Sequence, residues 1–251
     1  MKWKHKCDLG WLRMRQQWLT ASEIRELVPV TKTGRPRKIG EESYLKILAK
    51  KQVNLTEDDC WSFGPAARGH MLEPFAVKMY DNEFDDVVLH HWDDAIVYNP
   101  DTGLAFSPDA CDIKQPDSGI AFSNGNLDIT GIGEIKSYAP DHHLQCGYSN
   151  PKDLEERWQI AAAMAVCPDI ESARLIFYNP SMMEQLFVFW YKPEDLQEEI
   201  KLINKAAEGW HEFIGNLKFD ENGGRSRVLG VNTAEQNIIV QLEHEQDLNP
   251  V

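Results

Sequence analysis

Apolar residues recur along this chain with two periods, near 3.6 and near 2, and the alternation of the two predicts its elements. Over residues 8–28, Trp11, Leu12, Met14, Trp18 and Leu19 supply apolar faces among Arg and Gln, which predicts a helical region. Within it Thr20 or Ser22 caps a following helix, with Glu23 in the first turn and Ile24, Leu27 and Val28 on the buried side. Residues 41–52 predict a short helix. Over residues 62–81, Met71, Leu72, Phe75, Ala76 and Met79 recur at helical spacing; Pro74 brings no backbone donor, so this helix is expected to start near Glu73. Residues 84–98 read as two strands or one bent strand. Asn99-Pro100-Asp101-Thr102-Gly103 is a turn, and Leu104-Ala105-Phe106 returns from it as the second arm of a hairpin. Residues 114–126 are rich in turn residues, and Asn124-Gly125 suits a hairpin. A strand over 129–138, a helix over 152–167, strands over 173–178 and 186–191 and a helix over 194–217 complete the pattern.

Two of these elements carry a chemical pattern. Residues two apart on a strand share a face, so Glu134 and Lys136 project together while Ile135 turns into the core. The hairpin delivers Ser107-Pro108-Asp109 to a strand end. If that end lies beside the 129–138 strand, two carboxylates and one ammonium meet. Two carboxylates hold a hard divalent cation such as Mg²⁺, and the Ile135 carbonyl offers another oxygen. Such a cation polarises a phosphate, while a lysine orients a water or offsets growing charge. The ordinary alternative is a cross-strand charge pattern on an exposed face. Gly131 and Gly133 favour close approach of a backbone or ligand. Glu73, on a mostly apolar helix, needs a partner or a metal if buried. Gln159 projects from an Ala-rich segment. Arg15 stands shortly before Thr20-Ala21-Ser22, and a helix start with a hydroxyl and an Arg is an anion site; simple capping by Ser22 competes with that reading.

Charge changes the picture through its distribution. The net charge is −14, yet residues 1–52 hold 13 Lys or Arg against 5 Asp or Glu, and the remainder 13 against 35. A basic N-terminal fifth meets phosphates while the acidic remainder repels them elsewhere; a solubilising pattern is the competing explanation. Residues 31–40 form a basic loop, in which Gly34-Arg35-Pro36 resembles the core of an AT-hook. No apolar run reaches the length of a membrane span, and the basic N-terminus lacks the apolar segment of a secretory signal. Five scattered cysteines without a CxxC pair indicate neither a zinc site nor a disulfide framework, and a reducing cytosol is the expected compartment. The length suits one domain over 1–217 with a C-terminal extension over 218–251.

The order of motifs over residues 8–215 resembles the lambda-exonuclease or YqaJ-type viral recombinase family, a branch of the PD-(D/E)xK nucleases. The resemblance rests on Arg15 before Thr20-Ala21-Ser22, Gly69 leading to Glu73, Ser107-Pro108-Asp109, Glu134-Ile135-Lys136 and Gln159 on the following helix. It implies an α/β (α+β) restriction-endonuclease-like core, a central mixed β-sheet flanked by helices. It implies that Asp109, Glu134 and the Ile135 carbonyl bind Mg²⁺, with Mn²⁺ a substitute and two ions in the site. Lys136 and Gln159 would position and activate the water, and Glu73 would tune the metal site. Arg15, Ser22 and Ser107 would hold a 5′ phosphate. The implied activity is 5′→3′ digestion of linear double-stranded DNA ends, leaving 3′ overhangs for recombination by strand annealing. A ring-shaped homotrimer and a single-strand annealing protein are the implied partners, in a bacterial host cytoplasm if the chain is phage-encoded. Ala110 follows Asp109 where the family often has Gly, and Ala161 replaces the second Gln of its Gln-x-Gln pattern. An endonuclease sharing the metal site and an inactive DNA-binding protein of the same fold are the alternatives.

Overall fold

The chain's strongest period-2 segments form the centre of the molecule. The computed structural model describes residues 2–4, 9–31, 37–85, 88–92, 96–113 and 129–216. In chain order the elements are β1 (Lys2–Lys4), α1 (Leu9–Gln17), β2 (Leu19–Thr20), α2 (Ala21–Ile24) and α3 (Glu41–Lys51). Then follow β3 (Trp61–Phe63), α4 (Gly64–Glu83), β4 (His90–His91), β5 (Val97–Asn99), β6 (Leu104–Phe106), β7 (Ala110–Ile113) and β8 (Ile129–Lys136). The last are α5 (Pro140–Gly147), α6 (Arg157–Val166), β9 (Ser172–Tyr178), β10 (Leu186–Tyr191) and α7 (Gln197–Asn216).

Five strands make a mixed sheet in the order β10-β9-β8-β7-β4, with β8 and β9 parallel and the other pairs antiparallel. A second sheet, β2-β6-β5, carries the hairpin read from the turn at 99–103. Alternation along each strand sorts side chains to two faces. On one face Cys111, Ile132, Leu175 and Phe177 pack with Trp158, Ile160 and Ala162 of α6 and with Ile203 and Trp210 of α7. On the other, Ala110, Ile135, Ile176 and Tyr178 pack with Ala76, Val77 and Tyr80 of α4. Both faces of β8 and β9 are thereby covered, as their nearly continuous apolar character requires. Gly103 has φ +65°, and a Cβ there would meet His211 at 2.3 Å. The glycine lets the His211 ring reach the turn, where its Nε2 donates to the Thr102 carbonyl at 2.8 Å and ties the hairpin to α7.

Several expectations change. The helical region at 8–28 is α1, a short strand and a single turn of helix, because Leu19 and Thr20 pair with Leu104 and Ala105. Helix α4 runs through Pro74 rather than starting near it. Pro74 and Phe75 face solvent, where water can serve the carbonyl of His70 that loses its helical donor, and Phe75 therefore does not join the core. The strand expected around 87–89 is displaced to His90–His91, and Val88 is exposed. The helix at 152–167 starts only at Arg157, after a 3₁₀ turn at Pro151–Asp153. Helix α5, in the polar stretch after β8, was not anticipated. The Gly34-Arg35-Pro36 core, the Asn124-Gly125 turn and the 218–251 extension lie outside the described residues.

Candidate active site

A cleft of about 420 Å³ opens at the C-terminal end of β8. Arg15, Ser22, Glu73, Ser107, Asp109, Glu134, Ile135, Lys136 and Gln159 all line it, so the structure gathers every residue that the sequence singled out for chemistry.

The sheet explains how. Asp109 stands immediately before β7, whose Ala110 pairs with Gly133 of β8. Its carboxylate Oδ2 accepts the Ile135 N–H at 2.8 Å, and its carbonyl accepts the Trp92 N–H at 3.1 Å. Asp109 is thus fixed between β8 and the chain leaving β4. In an extended strand a residue's N–H and C=O point to the same neighbour, so the Ile135 carbonyl is directed to the side of Asp109. Glu134 and Lys136 share the face that α6 covers, where they form an ion pair. Gln159, in the first turn of α6, enters the cleft above them. Gly131 and Gly133 serve packing rather than a ligand: a Cβ on the first would lie 3.1 Å from Arg174 and Asp112, and on the second 3.1 Å from Leu89.

Electrostatics separate the carboxylates. Burial, then Glu134, then Glu73 push the Asp109 carboxyl well above the usual range, against the opposing Lys136 ammonium and Ile135 N–H. Burial opposes the charge on Lys136, but Glu134 and Asp109 overcome it and raise the ammonium above its ordinary value. Glu73 is the converse. Burial would raise it, yet hydrogen bonds and charge from His70 and His91 hold it at about 2. His70 Nδ1 donates to one Glu73 oxygen at 3.0 Å and His91 Nε2 to the other at 3.3 Å.

The other end of the cleft is cationic. Arg15 lies in the last turn of α1 with its guanidinium 4.7 Å from the Trp11 ring, and Ser22 accompanies it from α2. Helix α2 is four residues long, so the expected contribution of a helix dipole gives way to the side chains themselves. Glu23 accepts from the Thr20 N–H at 3.0 Å and hydroxyl at 2.7 Å. Lys51, from α3, donates to Glu23 at 2.5 Å and to the carbonyls of Trp18 at 2.5 Å and Arg15 at 3.1 Å. Burial lowers its pKa, while Glu23 opposes that shift. It therefore anchors the backbone that presents Arg15.

Lys51, His91, Trp11 and Trp92 were not foreseen. Lys51 reads as one more charge on a polar helix, and His91 stands eighteen residues from Glu73 in a segment without period. Only a pairing of β4 with β7 brings His91 to Glu73, and two residues are too few to announce it.

The cleft fits a hard divalent cation. Asp109, Glu134 and Ile135 supply oxygen groups to its lining, and a desolvated carboxylate crowded by two others is relieved by positive charge. The fold has known counterparts. The crystal structure of the alkaline exonuclease LHK-Exo from Laribacter hongkongensis is similar, with TM-score 0.54 and 18% identity, covering 96% of this chain and 100% of that one. A second, of LHK-Exo in complex with dAMP, has TM-score 0.56 and 17% identity with the same coverage. Among curated proteins no match is found. The model of the YqaJ-like viral recombinase domain matches residues 10–168, a span that includes every residue of the cleft. This chain belongs to the YqaJ-like viral recombinase domain family.

Proposed function

We propose that the protein is a Mg²⁺-dependent 5′→3′ exonuclease on linear double-stranded DNA that produces 3′ single-stranded overhangs for strand-annealing recombination. One observation carries the reading: a single cleft joins a carboxylate–lysine end to an arginine–hydroxyl end. The first suits a cation and a scissile phosphate, the second a terminal phosphate. Family membership and the shared alkaline-exonuclease fold support a nuclease.

When bound to Asp109, Glu134 and the Ile135 carbonyl, Mg²⁺ or Mn²⁺, as one or two ions, supplies charge that polarises the scissile phosphate. Lys136 keeps its proton at Nζ and stabilises negative charge growing on the phosphate oxygens. Gln159 orients the attacking water from α6. Arg15, Ser22 and Ser107 grip the 5′-terminal phosphate and set the register of cleavage. Glu73 keeps a fixed charge near the carboxylates through its two histidines. A homotrimeric ring around DNA and a single-strand annealing partner belong to the same proposal; the basic N-terminal fifth is the part of the sequence suited to face phosphates.

Digestion of one plasmid in closed-circular and linear 5′-phosphorylated forms, with Mg²⁺ and with EDTA, tests this. Mg²⁺-dependent loss of the linear form alone, leaving one strand largely intact, is the expected result. Cutting of the circle would identify an endonuclease, and no metal-dependent cleavage of either form would identify a DNA-binding protein.

A further inference from the structure

Beside the cleft lies a cluster of a different kind. His142 and Cys146, one turn apart on α5, meet Glu156, the residue that precedes α6. One ligand atom from each lies within 4.8 Å of the others. The Cys146 sulfur is 3.8 Å from His142 Nε2 and 4.0 Å from Nδ1. Zinc bond lengths taken at the tetrahedral angle place sulfur and nitrogen ligands ~3.6 Å apart. The pair therefore stands close to coordinating distance, and exposed His142 can adjust its rotamer to close the remainder.

We infer that His142, Cys146 and Glu156 bind one borderline-soft transition-metal ion of the zinc class, with solvent as the fourth ligand. The donor set decides the class. Magnesium takes oxygen ligands, whereas thiolate with imidazole selects zinc and its neighbours. This site is distinct from the hard-cation site of Asp109 and Glu134. Cysteine spacing gives no hint of it, because the ligands are one cysteine and two residues of other types. The carboxylate is already oriented: the Tyr138 hydroxyl donates to Glu156 Oε1 at 2.5 Å, as outer partners of metal ligands commonly do. Tyr138 also packs against the His142 ring, with centroids 4.3 Å apart. Binding transfers the Cys146 thiol proton to solvent and joins sulfur to metal.

The consequence is positional. Tyr138 stands two residues after Lys136, and Glu156 three before Gln159. The ion would clamp α5 to the start of α6 and hold the two chain segments that carry Lys136 and Gln159. This inference stands whether or not the protein is a nuclease.

The test is titration of the metal-free full chain with Co²⁺ in saturating Mg²⁺, followed by optical absorption. One equivalent with a thiolate-to-cobalt charge-transfer band and tetrahedral d–d bands is expected, displaced by Zn²⁺. Cys146→Ser should abolish the charge-transfer band, and His142→Ala should weaken Co²⁺ binding at least ~10-fold. Asp109→Asn should leave both unchanged. His142 is exposed, so its variant is expected to fold, which far-ultraviolet circular dichroism checks. Absence of a thiolate band would overturn the assignment. So would a band that survives Cys146→Ser, or binding unaltered by His142→Ala.

Discussion

Two carboxylates, Glu73 buried and Asp109 half-buried, line the same cleft and differ in how the fold treats them. Asp109, at the lip formed by β7 and β8, is crowded by Glu134 and Glu73 and is driven toward its protonated form. Glu73, at the lip formed by α4 and β4, holds a histidine on each oxygen and stays ionised down to about pH 2. Burial acts in the same direction on both, so the partners decide the outcome. The α4 lip contains its own hydrogen-bond donors for the carboxylate. The β7–β8 lip has Lys136, which Glu134 also engages, and its carboxylates are arranged so that a further cation lowers their energy. On the proposed reading, this difference is why the cation would be held by Asp109 and Glu134, with Glu73 as a neighbour.

Substitutions at the two lips should then have unequal effects. Lys136→Ala is expected to keep the fold and to slow cleavage of linear duplex by ~100–1,000-fold, the usual cost of removing a preorganised electrostatic group. Single-turnover digestion measures it, and near-normal rates would break the assignment. At the phosphate end, Arg15→Ala should cost ~10-fold on 5′-phosphorylated ends, as loss of a hydrogen bond to a charged group does. It should have little effect on ends lacking the phosphate. Equal losses on both substrates would remove Arg15 from the phosphate pocket.

Stability should respond to pH with opposite signs at the two lips. Depression of Glu73 from 4.5 to about 2 corresponds to ~3 kcal/mol as an order of magnitude, present above pH 4.5 and lost as pH falls through about 2. Glu73→Gln should therefore lower the melting temperature at pH 6, and the gap to the parent should shrink below pH 4.5. For Asp109 the unfolded chain releases its proton first, near pH ~4, so the metal-free parent loses stability as pH rises above that value. Asp109→Asn should flatten that decline. Thermal melts in EDTA across pH 3–8 measure both, and slopes of the same sign would contradict the comparison.

The sequence carried the two lips unequally as well. Glu134 and Lys136 sit on a long strand of period 2, and Ser107-Pro108-Asp109 follows a hairpin whose turn chemistry is explicit, so both were readable. Gln159 was readable because a polar side chain among alanines needs a reason. The surroundings of Glu73 were hidden by short elements: β4 has two residues, and Pro74 implied a helix start where solvent exposure lets α4 continue. Helix α5 was hidden because its buried side chains are His143 and Cys146, and no apolar stripe marks it. Lys51 was hidden because a buried lysine on a charged helix looks like any other until its three partners are known.

The central claim is that the cation belongs to the β7–β8 lip. Calorimetric Mg²⁺ titration of the parent, Asp109→Asn and Glu73→Gln tests it most directly. The predicted result is loss of binding in Asp109→Asn and affinity within ~10-fold of the parent in Glu73→Gln. Full affinity in Asp109→Asn, or loss confined to Glu73→Gln, would contradict it.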